Sequence, residues 1–179
     1  MAMSDLKPDY LDGIREDYSP RRIIFYLACM LALSIGSARI LVAQNSIHYP
    51  DRIGWKDAPV SLPEGAHVAV LRGDPTKPGL FTMRLKFPAG YIVSPHWHTA
   101  DEHVTVLTGV LYIGMGERFN RSETRAVGSN SLMVMPKTQP HFAYFDEETI
   151  LQLHGMGPWV VNYVNPADDP RSNTYNSGR

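Results

Sequence analysis

Short apolar runs recur between residues 66 and 164, each closed off by Gly, Pro, Asn or Asp. The runs are 66–71, 81–87, 103–107, 110–115, 131–135, 149–153 and 159–164. Several alternate apolar with polar positions, as at Leu151, Gln152, Leu153 and His154. Such runs between turn signals predict strands. The turn signals include Gly73-Asp74-Pro75, Pro88-Ala89-Gly90, Thr108-Gly109 and Gly128-Ser129-Asn130. No stretch of this region carries the period of an amphipathic helix. The expectation is therefore all-β, an antiparallel sandwich or barrel.

The chain before residue 44 has a different texture. An uncharged run over residues 23–38 follows Arg21-Arg22 and is ended by Arg39. It is short of the about 20 apolar residues that span a bilayer. It fits the apolar part of an export signal with cleavage after Ala43, or a retained signal anchor. The alternative is a core helix of a cytoplasmic protein. The export reading places the protein in the periplasm or outside the cell, or anchored, with membrane contact only through this segment. The expected organisation is a leader over 1–43, a β-domain over 44–165 and a loose polar tail over 166–179.

Composition narrows the chemistry. The chain has 179 residues, one Cys, seven His and a formal net charge of −1. One cysteine allows neither an internal disulfide nor a thiolate-rich metal site. A nucleic-acid partner would want a basic face, and the charge balance argues against one. Any metal site must use imidazole and carboxylate groups.

Two segments carry such groups. On an extended chain His96 and His98 face the same way, with Trp97 turned to the other side. A turn through residues 99–101 can bring Glu102 back to the same spot. A second strand ends at Pro136, and His141 opens the next one after a short loop. In a closed sheet His141 can reach the same point from across the barrel. Three imidazoles and a carboxylate suit a first-row divalent ion. Fe or Mn is favoured, with Zn, Ni, Co and Cu open. Four protein ligands leave two positions for substrate or water.

The spacing Gly90-x5-His96-x-His98-x3-Glu102-x6-Gly109 resembles the first motif of the cupin superfamily position by position. Gly128, Pro136 and His141 resemble the second, with Thr138-Gln139 where a small Gly is usual and Phe145 where Asn is usual. Residues 65–170 are similar to single-domain bacterial cupins, notably in the strings ADEHVTVLTG and LHGMGPW. The resemblance implies a jelly-roll β-barrel of six to eight strands with His96, His98, Glu102 and His141 around one metal. It implies no substrate, because the superfamily spans dioxygenases, isomerases, lyases, sugar-binding and storage proteins.

Around that site, Gln152 and His154 line the pocket if the polar pair of their strand faces inward, and His154 would then carry a proton. The competing reading is a core histidine beside the Gly155 turn. Tyr112, Met83, Met133 and Met135 are expected to form an apolar wall. His103 has the opposite strand parity to Glu102 and should face outward, and Arg84 and Lys86 should form a solvated face. The leading functional expectation is a metal-dependent enzyme of dioxygenase type acting on a small molecule. The alternatives are a metal-dependent isomerase, lyase or hydrolase, and a non-catalytic ligand-binding or sensing module. A homodimer through a sheet edge or outer face would cover an exposed strand edge.

Overall fold

The structure is a computed structural model that describes residues 45–174. The leader reading over 1–43 lies outside the described residues. From Ile47 onward the chain forms one compact unit. It is built almost entirely of strands: β1 (Lys56–Asp57), β2 (His67–Arg72), β3 (Gly79–Phe87), β4 (Ile92–Trp97), β5 (Glu102–Thr108), β6 (Val110–Met115), β7 (Arg125–Gly128), β8 (Leu132–Met135), β9 (His141–Tyr144), β10 (Thr149–Gly157) and β11 (Asn162–Tyr163). They make two antiparallel sheets, ordered β1-β2-β3-β10-β5-β8 and β11-β4-β9-β6-β7. This all-β arrangement fits the jelly roll that the family resemblance implies.

The core lies between the sheets and follows the two-residue period of each strand. Along β3 the buried residues are Phe81, Met83, Leu85 and Phe87, and along β10 they are Thr149, Leu151 and Leu153. Phe87 stacks on Phe145 with ring centroids 4.3 Å apart. Strand β9 breaks the alternation, because all four of its residues are buried. Its outer face is covered as well. Phe119 packs against Phe142 at 5.2 Å, and the Arg121 guanidinium lies 4.3 Å from the centre of the Tyr144 ring.

The turn from β5 to β6 is the Gly of the first motif. Gly109 has φ 75, and a Cβ there would stand 2.5 Å from Thr149 Oγ1 and 2.7 Å from the Glu148 carbonyl oxygen. Only glycine fits both demands.

Two expectations change. The segment after Asn165 is tied down in part: Pro166–Asp168 form a 3-10 turn and Pro170–Thr174 a short helix, α1. Arg171 donates to the Val161 carbonyl at 2.9 Å and to Asp169 at 2.7 Å, which anchors this stretch to the barrel. The run at 159–164 is strand only at Asn162–Tyr163.

Candidate metal centre

Strand β4 sets the first pair of imidazoles by means of an irregularity. Val93 pairs with Ala143 and His96 with His141, and the register shifts between the two pairs. Val93 and His96 are an odd number of residues apart, yet both line the same cavity. The shift at Ser94-Pro95 supplies the extra residue that makes this possible. Pro95, with no N–H to give a ladder, sits where pairing is interrupted. His98 follows just beyond the strand end and is 3% exposed.

Cross-strand pairing of His96 with His141 sets their ring centroids 4.2 Å apart. One ring nitrogen from each of His96, His98 and His141 lies within 4.8 Å of the others. Each Nδ1 faces a backbone carbonyl: His96 to Ser94 at 2.8 Å, His98 to Val160 at 2.8 Å and His141 to Gln139 at 2.9 Å. A carbonyl only accepts, so each Nδ1 carries the proton and donates. In the neutral ring that leaves the lone pair on Nε2. Burial pushes the His96 pKa well below its usual value, with the His141 and His98 charges acting the same way. Burial also lowers that of His141. The donor set is thus a buried, pre-oriented trio of imidazoles, with burial favouring the neutral form of His96 and His141, and it fits a divalent first-row ion.

Glu102 opens β5 beside this trio, buried at 7% exposure. Its Oε2 lies 3.5 Å from His98 Nε2. Its Oε1 accepts a hydrogen bond from Trp159 Nε1 at 2.7 Å. The Trp159 ring also stacks on His98, with centroids 5.5 Å apart and planes at 20°. Trp159 therefore braces two of the four candidate ligands. The sequence reading placed it in a strand and gave it no role. The glycines at 155 and 157, which read as a turn in the sequence, lie within β10 and pair with Phe81 and Gly79, so the chain leaves the sheet only at Pro158, just before Trp159.

The loops that carry the two motifs are joined to each other. Thr138 N–H donates to the His98 carbonyl at 2.8 Å, and Lys137 N–H donates to Asp101 Oδ1 at 2.8 Å. The four candidate ligands close one end of a cavity of about 50 Å³. Its remaining wall is apolar and includes Leu85, Leu111, Phe145, Leu151 and Leu153. Such a space holds a few waters or one very small ligand.

The structure corrects the reading of Gln152 and His154. Leu151 and Leu153 face the cavity, so the alternate residues face out. Gln152 Oε1 accepts from Arg84 Nε at 3.2 Å, and His154 lies opposite His103 with rings 4.9 Å apart. Neither can exchange a proton with the site. The expected apolar wall is met only in part. Met133 lines the cavity, whereas Met83 and Met135 share the inward parity of Leu85 and Met133 but lie away from the cavity, buried elsewhere in the core. Tyr112 has the outward parity and stacks on Tyr144 at 4.6 Å on the outer face of its sheet. His103 is outward, as expected, and Arg84 and Lys86 line the outer face of β3, half-buried by Gln152 and Trp55.

Two antiparallel sheets enclosing a histidine site at one end define a cupin. Residues 44–160 match the ChrR Cupin-like domain family, and the chain belongs to it. Among solved structures it is similar to the polyketide cyclase RemF from Streptomyces resistomycificus, at 16% identity and a TM-score of 0.57, over 75% of this chain and 95% of that one. It is also similar to an acetylacetone dioxygenase from Acinetobacter johnsonii, at 16% identity and a TM-score of 0.55, over 71% of this chain and 82% of that one. At these identities the likeness is one of fold. Among curated proteins the comparison finds no match.

Proposed function

We propose that the protein is a metal-dependent cupin enzyme of dioxygenase type that acts on a small, mostly apolar molecule bearing oxygen. The observation that carries this reading is the trio His96, His98 and His141, each with Nδ1 tied to a carbonyl and its remaining nitrogen turned toward one point. Held there, a divalent ion supplies Lewis acidity or one-electron chemistry at a substrate oxygen. Glu102 completes the set through Oε2 while Trp159 holds Oε1 in place. The apolar wall excludes water and packs the carbon part of the substrate. With His154 outside, Glu102 is the one acidic side chain among the described residues that line the chamber.

The fold shared with an acetylacetone dioxygenase makes small β-diketones the first substrates to try. The test is elemental analysis of the purified full chain after supplementation with Fe, Mn or Zn, followed by oxygen uptake with diketones and catechols. The expected result is about one ion per chain and oxygen consumption that tracks it. Turnover without oxygen would favour an isomerase, lyase or hydrolase. The small chamber, about 50 Å³, favours a second reading, a non-catalytic module that holds a metal or a minimal ligand. Full metal loading with no turnover on any substrate would support it.

A further inference from the structure

One wall of the chamber belongs to neither sheet. Residues 58–66 form a loop closed at its base, where Ala58 N–H donates to the Ala66 carbonyl at 2.9 Å. Its tip is pinned on both sides of Leu62. The Tyr163 hydroxyl donates to the Ser61 carbonyl at 2.9 Å, and the Tyr91 hydroxyl donates to the Pro63 carbonyl. Burial raises the Tyr163 pKa to about 12 and pushes that of Tyr91 higher still. Both hydroxyls therefore keep their protons across the working pH range. Val60 points to solvent at 71% exposure, but Leu62 is only 6% exposed.

Leu62 lines the inner chamber of about 50 Å³. It also lines an outer groove of about 580 Å³, together with Asp57, Val60, Glu64 and His67. Among the described residues it is the one common to both spaces. A separate void that touches His98 and Glu102 measures only about 10 Å³. That is room for one water at most, far less than the groove on the Leu62 side.

We propose that Leu62 is the gate between the groove and the chamber, and the residue that limits the size of molecule the chamber admits. The proposal rests on reading the chamber as the active site. Because the two tyrosines hold the loop backbone, opening is a rotation of the Leu62 side chain rather than a movement of the whole loop. A shorter side chain joins the two spaces, and a bulkier one seals them apart.

The test is acylation of imidazoles by diethyl pyrocarbonate in the full chain stripped of metal by a chelator, with each histidine followed by peptide mass spectrometry. In the wild type His96, His98 and His141 react slowly, and the outward-facing His103 and His154 react fast. Leu62→Ala raises the three inner rates roughly ten-fold and leaves the two outer rates unchanged. Leu62→Phe lowers the inner rates. Leu153→Ala is the control, because Leu153 lines the chamber but not the groove. Inner rates unchanged in Leu62→Ala, or raised equally by Leu153→Ala, would overturn the proposal. Should Leu62→Ala fail to fold, an unchanged inner rate in Leu62→Phe overturns it as well. A chain that binds no divalent ion defeats the functional reading, while the acylation rates still decide the role of Leu62. With turnover established, Leu62→Ala lowers KM for bulkier diketones relative to the smallest one.

Discussion

The indole N–H of Trp159 donates to Glu102 Oε1 at 2.7 Å while its ring lies along His98. Glu102 is buried and Trp159 half-buried against the same cavity, so this bond orients a carboxylate that bulk water does not hydrate. Partners of this kind, one step removed from a ligand, change metal affinity by about 10–100-fold when removed. Trp159→Phe keeps the stacking surface and deletes the donor. The expected outcome is a loss of divalent-ion affinity in that range, with the fold retained. Competition titration against a chelator indicator, alongside circular dichroism, checks it.

Thr138 stands where the second motif usually has glycine, and it has φ 61. A β-branched residue in that conformation is strained, because its Cβ crowds the backbone. Its amide nevertheless donates to the His98 carbonyl at 2.8 Å, so the loop geometry is kept against that strain. The left-handed conformation costs about 1–2 kcal/mol for a residue with a Cβ. Glycine would return about 0.5–1 kcal/mol of that as unfolded-state entropy. Thr138→Gly is therefore expected to stabilise the protein by about 0.5–1 kcal/mol and to raise Tm by roughly 2–4 °C. Thermal melts of the two proteins at equal metal loading decide it. An unchanged or lower Tm would show that the hydroxyl, which donates to the Lys137 carbonyl at 2.6 Å, outweighs the backbone strain.

The candidate ligands were legible because their constraint is local. His96 and His98 share a face by strand parity, and Gly109 is demanded by a turn with no room for a Cβ. What was not legible depends on pairing across the barrel. Alternation separates Leu151 and Leu153 from Gln152 and His154, but it does not say which pair faces in. Only the register of β10 against β3 and β5, together with what packs behind, settles that. The irregularity at Ser94-Pro95 shifts parity inside a strand, which no fixed period describes. Trp159 reaches Glu102 across 57 positions of sequence, after the chain has left the sheet. Strand β7 carries too short and mixed a pattern, Arg125-Ala-Val-Gly128, to stand out as a strand.

The metal-free protein should lose stability on mild acidification. Burial lowers the pKa of His96 and of His141 below the ordinary value of 6.5. Above pH 6.5 both imidazoles are neutral in the folded and the unfolded chain, and the shift has no effect. Below that value the unfolded chain takes up protons that the folded chain refuses, so folding weakens as pH falls toward the depressed folded pKa values. Each group contributes at most about 1.4 kcal/mol per pH unit in that window. Urea unfolding midpoints between pH 7 and pH 5 are expected to fall in the wild type. The fall should be shallower in His141→Gln, which has one such group fewer. Equal slopes in the two proteins would contradict it.

His154 and His141 provide a paired test of which histidines belong to the site. They differ in place: His141 is 3% exposed and pairs with His96, whereas His154 lies on the outer face beside His103. Replacing a ligand leaves two imidazoles and a carboxylate, and first-row ions bind such a depleted site far more weakly. His96→Ala and His141→Ala are therefore expected to lose bound metal on gel filtration and to lose turnover with it. His154→Ala should keep wild-type metal content and turnover, because the body of β10 separates its side chain from the chamber. Gln152→Ala should behave in the same way, apart from the stability contributed by its hydrogen bond with Arg84. Elemental analysis of the four variants purified in parallel checks both halves of the prediction. Metal loss in His154→Ala with an unchanged melting profile would place a working group on the wrong side of the sheet.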